Sequence, residues 1–241
     1  MSEEADIRPV AHVDCHFEPR EWSFLTENRA RIEEHWKKVS ADKPAMFNGR
    51  VLLVDQWSLS DDVFRARFFE TDYAAFLAFL AFGTDEADAW NVFAMAALRG
   101  SDGPFLLGEM SAHTAHAGKI YFPAGTPDRD DIRGDMVDLA GSVLRELTEE
   151  TGLTADEVTI GTDWTFVRLG RKIALMREVV SPLPATDLMV SVNRLLASDP
   201  QAELARLHLV SHADHIDPTR MPPIQTAFLS AALGASDQRT G

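Results

Sequence analysis

The sequence predicts an α/β fold preceded by a smaller α+β region. Three observations carry that prediction. Asn91 to Arg99 and Phe105 to Met110 are apolar runs separated by the turn Gly100-Ser101-Asp102-Gly103, which reads as a hairpin. Ala140, Val143, Leu144 and Leu147 recur at helical spacing and specify one amphipathic helix. Strand-like runs follow that helix, and a closing helix comes near the end of the sequence. With 241 residues, 45% of them hydrophobic, the chain can build a sizeable core.

The N-terminal elements come first. Residues 1–15 are polar and are expected to be loose. Trp22 to Lys38 reads as a helix, with Leu25, Ile32 and Trp36 at compatible spacing. Asn48-Gly49 is a turn signal. Arg50 to Leu59 and Val63 to Glu70 read as strands joined by Ser60-Asp61-Asp62. Tyr73 to Phe82 reads as a short buried helix closed by Gly83. The acidic link Asp85 to Asp88 is the expected boundary, dividing an N-terminal region, 1–88, from the main domain, 89–241.

In the main domain, Lys119 to Phe122 is a strand leading into Pro123-Ala124-Gly125. Thr126 to Val137 is rich in Asp, Arg and Gly, lacks a period, and reads as a loop. Asp138 suits the N-cap of the next helix, and Gly152 its left-handed C-terminal residue, with Leu153 packing back on Leu147. Val158 to Arg168 and Lys172 to Val180 are strands turned by Leu169-Gly170-Arg171. Leu188 to Ala197 reads as a helix, Ala202 to Arg206 as a weaker one, Leu207 to Ser211 as a short strand, and Ile224 to Leu233 as the closing helix. No internal repeat or low-complexity tract is present.

Charge and cysteine content bound the function. A net charge of −15 argues against non-specific nucleic-acid binding, which needs a basic surface. The single cysteine, Cys15, cannot form an internal disulfide, so a reducing compartment and a cytoplasmic location are expected, with Cys15 a spectator near a loose terminus. No secretory h-region follows Met1, and the longest apolar run, Ala74 to Phe82, is too short to span a bilayer.

The chemistry concentrates in Arg145-Glu146-Leu147-Thr148-Glu149-Glu150-Thr151-Gly152-Leu153. On a helix, Glu146, Glu149 and Glu150 fall within a wedge of roughly 100°. Three like charges that close repel one another, so a positive partner is expected between them. A hard divalent cation, Mg²⁺ or Mn²⁺, prefers carboxylate oxygen. The wedge lies beside the apolar stripe, at the rim of buried surface. The alternative for any such trio is a solvated acidic face.

This segment resembles the second half of the Nudix box, the signature of the Nudix hydrolases: Arg-Glu-apolar-x-Glu-Glu-x-Gly-apolar, matched here at every fixed position from Arg145 to Leu153. The first half departs. Val137 stands where the family has glutamate, with Asp138 one residue later, and Gly125 lies twenty residues before Arg145 rather than fourteen. The resemblance implies an α/β/α sandwich with a mixed sheet and a pyrophosphohydrolase that cleaves a nucleoside diphosphate linked to another group. It implies Glu149 and Glu150 as main metal ligands, Glu146 completing the site, and the Ala124 carbonyl as a further ligand. Arg145 is expected to orient Glu149 from one turn away. Asp138, roughly 80° from Glu146 on an extrapolated helix, is a candidate substitute for the missing glutamate and equally a plain cap.

Other residues carry weaker signals. Phe122 and Trp164 are candidate base-stacking rings, although an aromatic on a strand is more often core. Arg50, Arg168 and Arg171 are candidate phosphate grips. Glu109 is an accessory ligand or an exposed strand residue. His212 and His215 sit on a late loop, where a base or substrate contact competes with a plain surface role. His113 and His116 have ligand spacing but lie in a loop without cysteines, which disfavours zinc. The general base is not identifiable. The expected partner is a small-molecule nucleotide, with no nucleic acid and no membrane, and a homodimer is compatible. UDP-sugars, suggested by the extra N-terminal region, compete with ADP-ribose, CoA or dinucleotides, and with a nucleotide-binding module that does not hydrolyse.

Overall fold

A computed structural model of the protein describes residues 4–41, 43, 46–82, 88–114 and 116–237. In chain order its elements are β1 (Asp6–Val10), β2 (His12–Phe17), α1 (Ser23–Glu27), α2 (Arg29–Ser40), β3 (Arg50–Ser60), β4 (Val63–Asp72), α3 (Tyr73–Phe82), β5 (Asn91–Arg99), β6 (Phe105–Met110), β7 (Ile120–Tyr121), β8 (Ile132–Arg133), β9 (Met136–Val137), α4 (Leu139–Thr151), β10 (Thr159–Leu169), β11 (Lys172–Val180), α5 (Ala185–Leu196), β12 (Leu204–Val210) and α6 (Pro223–Asp237). None of the described helices is long and apolar enough to cross a membrane.

The chain folds into two compact units whose segments interleave. The first comprises Met1–Ala11, Phe93–Gly125 and Ala140–Gly241; the second comprises His12–Val92 and Thr126–Leu139. The expected division at 88/89 is therefore corrected. Strand pairing is the reason: β1 joins the first unit by pairing with β10, and β9 joins the second by pairing with β2.

The first unit is the expected α/β/α sandwich. Its sheet runs β1-β10-β11-β5-β6-β12, with β7 on β6. Met95, Ala97, Leu107, Val167, Ala174 and Met176 pack with Ile224, Phe228 and Leu229 of α6. Their strand neighbours Ala96, Leu98, Leu106, Phe166, Ile173 and Leu175 point the opposite way and are also fully buried. A strand buried on both faces reads as a continuous apolar run, which is why β5 lacks alternation. The β5–β6 hairpin closes at Arg99↔Phe105, where the turn signal placed it.

The second unit holds a mixed sheet in the order β3-β4-β2-β9-β8, with β2 parallel to β4 and antiparallel to β9. Its core joins Trp22 and Phe24 to Phe69, Phe76 and Phe79, and the apolar α3 lies within it. Buried Asp55 is held by Arg20 (2.5 Å) and by both nitrogens of the Arg67 fork (2.9 Å each).

Four local expectations change. Residues 6–10 and 12–17 are strands, because β1 and β2 take their hydrogen bonds from strands far along the chain. Cys15 is accordingly a buried strand residue, and burial pushes its thiol well above the ordinary range. The helix expected over 22–38 breaks at Asn28 into α1 and α2. Residues 204–206 begin β12, paired with β6, instead of forming a helix. The loop 126–137 contains a capped turn, Arg129–Asp131, and the small β8–β9 hairpin around Gly134, whose φ of +68° suits glycine. Gly83 and residues 85–87 of the acidic link lie outside the described residues.

Candidate active site

The carboxylates stand on α4 in the first unit. Val143 and Leu147 are fully buried, and Glu150, seven and three residues on, continues that stripe into the interior. Glu150 is thus only 8% exposed, Glu146 is partly buried, and Glu149 is exposed. The helix ends at Gly152, in the left-handed conformation (φ +74°), with its N–H on the Thr148 carbonyl (2.9 Å).

The three glutamates line one wall of a cleft of about 170 Å³. The facing wall is the segment between α5 and β12: Asp199, Gln201, Ala202 and Glu203. That segment is pinned to the end of β6, because Ser111 donates its N–H to the Glu203 carbonyl and its hydroxyl to the Ala202 carbonyl, both at 2.8 Å. Asp199 and Glu203 were not among the residues expected here. They lie about fifty residues beyond α4 among 38 acidic residues, and no spacing links them to it.

Burial pushes the Glu150 carboxyl well above the usual carboxylate range, and Glu146 pushes it further. The nearby Ala124 N–H pulls the other way, while Glu203 and Glu149 add to the rise. Gly125 packs directly against Glu146: a Cβ there would lie 2.2 Å from Oε1. The strand end Pro123-Ala124-Gly125 therefore cradles two of the three glutamates. Arg145 Nη2 donates to Glu146 Oε1 at 3.1 Å, so this hydrogen bond holds the neighbouring glutamate, whereas Glu149 was the expected partner.

This wall fits a hard cation: its charged donors are all carboxylate oxygens, they repel one another, and one is desolvated. Among the described residues, no three His, Cys, Asp or Glu side chains are already arranged to hold an ion. Ligation therefore requires side-chain rotation, which exposed Glu149 has room for.

The remaining candidates are placed as follows. Asp138 immediately precedes α4, and its N–H donates to the Asp131 carbonyl (2.8 Å) within the second unit. Val137, at the family's glutamate position, is buried in that unit. Phe122 is fully buried among Phe105 and Phe228, so its ring is core and offers no face to a base. Trp164 is buried and carries the Arg177 guanidinium 4.9 Å from its ring centre. Arg50 is paired with Asp72 and Glu70 in the second unit. Glu109 is engaged by Arg206 (2.8 Å), His208 (2.6 Å) and Arg220 (2.8 Å). Burial pushes its carboxyl up, but those three partners outweigh burial and hold it at about 2. His212 and His215 meet edge to face on the loop after β12, their ring centres 5.6 Å apart.

No protein-family model matches the sequence, and no curated protein does. Solved structures do. A Nudix hydrolase from M. smegmatis, RenU, is 16% identical, with 61% of this chain and 84% of that chain covered and a TM-score of 0.36. The MutT protein from Methanosarcina mazei Go1 is 20% identical over 60% and 94% of the two chains, TM-score 0.38. The Bacillus subtilis pyrophosphohydrolase BsRppH is 14% identical over 80% and 98%, TM-score 0.34. The chain is similar to Nudix hydrolases. Likeness of this depth carries no residue's role from those proteins to this one.

Proposed function

We propose that the first unit is a metal-dependent pyrophosphohydrolase acting on a nucleoside diphosphate linked to a second group. The observation that supports this most is the cleft in which Glu146, Glu149 and Glu150, spaced as in the Nudix box, meet Asp199 and Glu203. Glu150 and Glu149 would hold Mg²⁺ or Mn²⁺, with Glu146 closing on it. When bound, such an ion neutralises the diphosphate and makes water a better nucleophile. The chain's own part is positioning. The Ala124 N–H lies beside the Glu150 carboxyl, and Arg145 with Gly125 confines Glu146. Glu203, on a pinned segment across the cleft, is the candidate to accept a proton from attacking water.

Asp138 is retained as the proposed stand-in for the box glutamate. A UDP-sugar is the first substrate to try, and ADP-ribose, CoA and dinucleotides follow. A second reading, a nucleotide-binding module without turnover, is favoured by one observation: a buried valine occupies the family's glutamate position. A phosphate-release screen over these diphosphates, coupled to a phosphatase and run with and without Mg²⁺, separates the readings. Turnover that needs Mg²⁺ supports the hydrolase. Tight binding of one ligand with no turnover supports the module, and activity that survives EDTA removes the metal mechanism.

A further inference from the structure

We propose that Gln225, on α6, is a positioning residue for the carboxylate cleft, an inference that rests on the hydrolase reading above. Four consecutive residues, Phe122 to Gly125, lead from Gln225 to the cleft. β7 ends at Tyr121, so the buried N–H of Phe122 has left the strand ladder and needs an acceptor. Gln225 Oε1 supplies it at 2.7 Å. Pro123 follows, and its carbonyl accepts from the Ala96 N–H at 2.9 Å. Gly125 lies directly against Glu146, and the Ala124 N–H lies beside the Glu150 carboxyl. Two of these residues are fixed toward the core and two toward the carboxylates. Gln225 is the side chain that ties the start of this segment to α6.

The choice of glutamine points the same way. Gln225 is 1% exposed, and among the described residues its Nε2 has no hydrogen-bond partner. A buried donor left unsatisfied is a cost that an apolar residue of similar length would avoid. The acceptor oxygen is therefore the feature that this position uses. The Phe122 ring packs against Phe105 and Phe228, contacts that do not involve Gln225, so loss of the acceptor is expected to free the backbone without emptying the core.

The test uses the full chain with Gln225→Met, which keeps length and volume but removes the acceptor, and Gln225→Glu, which keeps an acceptor oxygen. Three quantities are measured: melting temperature, Mn²⁺ affinity, and amide exchange at Ala124. Gln225→Met is expected to stay folded, to bind Mn²⁺ roughly tenfold more weakly, as loss of an outer-shell partner does, and to exchange the Ala124 amide faster. Gln225→Glu should recover much of both. Wild-type affinity in folded Gln225→Met, or unchanged exchange at Ala124, overturns the positioning role. If the wild-type chain itself takes up no Mn²⁺, the hydrolase reading falls, and the exchange comparison by itself decides whether Gln225 holds the segment.

Discussion

Gly125 lies directly against Glu146, so closely that a methyl group on its α-carbon would come within 2.2 Å of one carboxylate oxygen and 2.5 Å of the carboxyl carbon. The obstructed atoms are the far end of a side chain that can rotate, so Gly125→Ala is expected to displace the carboxylate rather than the backbone. Turnover should fall at least roughly tenfold, since displacements of about 1 Å at a reacting site have effects of that order or larger. Melting temperature should change little. Unaltered turnover in Gly125→Ala would mean that the position of Glu146 is not critical.

Glu149→Gln and Glu150→Gln should each lower kcat by roughly two orders of magnitude, the scale of losing one electrostatic contact in such a site. Stability separates the two. Glu150 is buried and pressed by three other carboxylates, whereas Glu149 is exposed. Without metal, Glu150→Gln should therefore melt at or above the wild-type temperature, and its stabilisation by added Mn²⁺ should shrink. A marked drop in the apo melting temperature would contradict the electrostatic account of Glu150.

Asp138→Asn tests the broken half of the box. Asparagine caps a helix about as well as aspartate does, so the fold should hold. If the charge stands in for the family's glutamate, turnover should fall strongly. Full activity would leave Asp138 as a cap of α4.

Glu109 sets a pH dependence away from the cleft. Its carboxyl ordinarily titrates near 4.5 and is held at about 2 by His208, Arg206 and Arg220. A lowered folded-state pKa means that the stabilisation is fully present above about 4.5 and is lost as pH falls toward 2. The loss should be on the order of 2 kcal/mol, discounted because Arg206 is largely solvated. Glu109→Gln should be less stable at neutral pH and should show a flatter curve in that window. A curve parallel to wild type would remove the network's role.

Elements with local causes were legible in the sequence. The β3–β4 and β5–β6 hairpins, α3, the end of α4 at Gly152, the β10–β11 pair and α6 follow from turn residues and apolar period, which act over a few positions. Where the cause is distant, the reading failed. β1 and β2 are polar runs made into strands by partners about 160 and 50 residues away, and β12 takes its register from β6.

The candidate site divides in the same way. The sequence by itself determined that Glu146, Glu149 and Glu150 share a helix face, because helical geometry fixes that spacing wherever the helix sits. Which of them is buried depended on how α4 packs: the core-facing stripe runs through Val143 and Leu147 to Glu150 and leaves Glu149 outside. That Asp199 and Glu203 complete the wall, and that Arg50 and Glu109 are already paired, was decided by the tertiary structure alone. Contacts between segments remote in the chain leave no period in the sequence. They exist only once backbone pairing has brought strand ends together, and here the pinning of residues 202 and 203 by Ser111 does so.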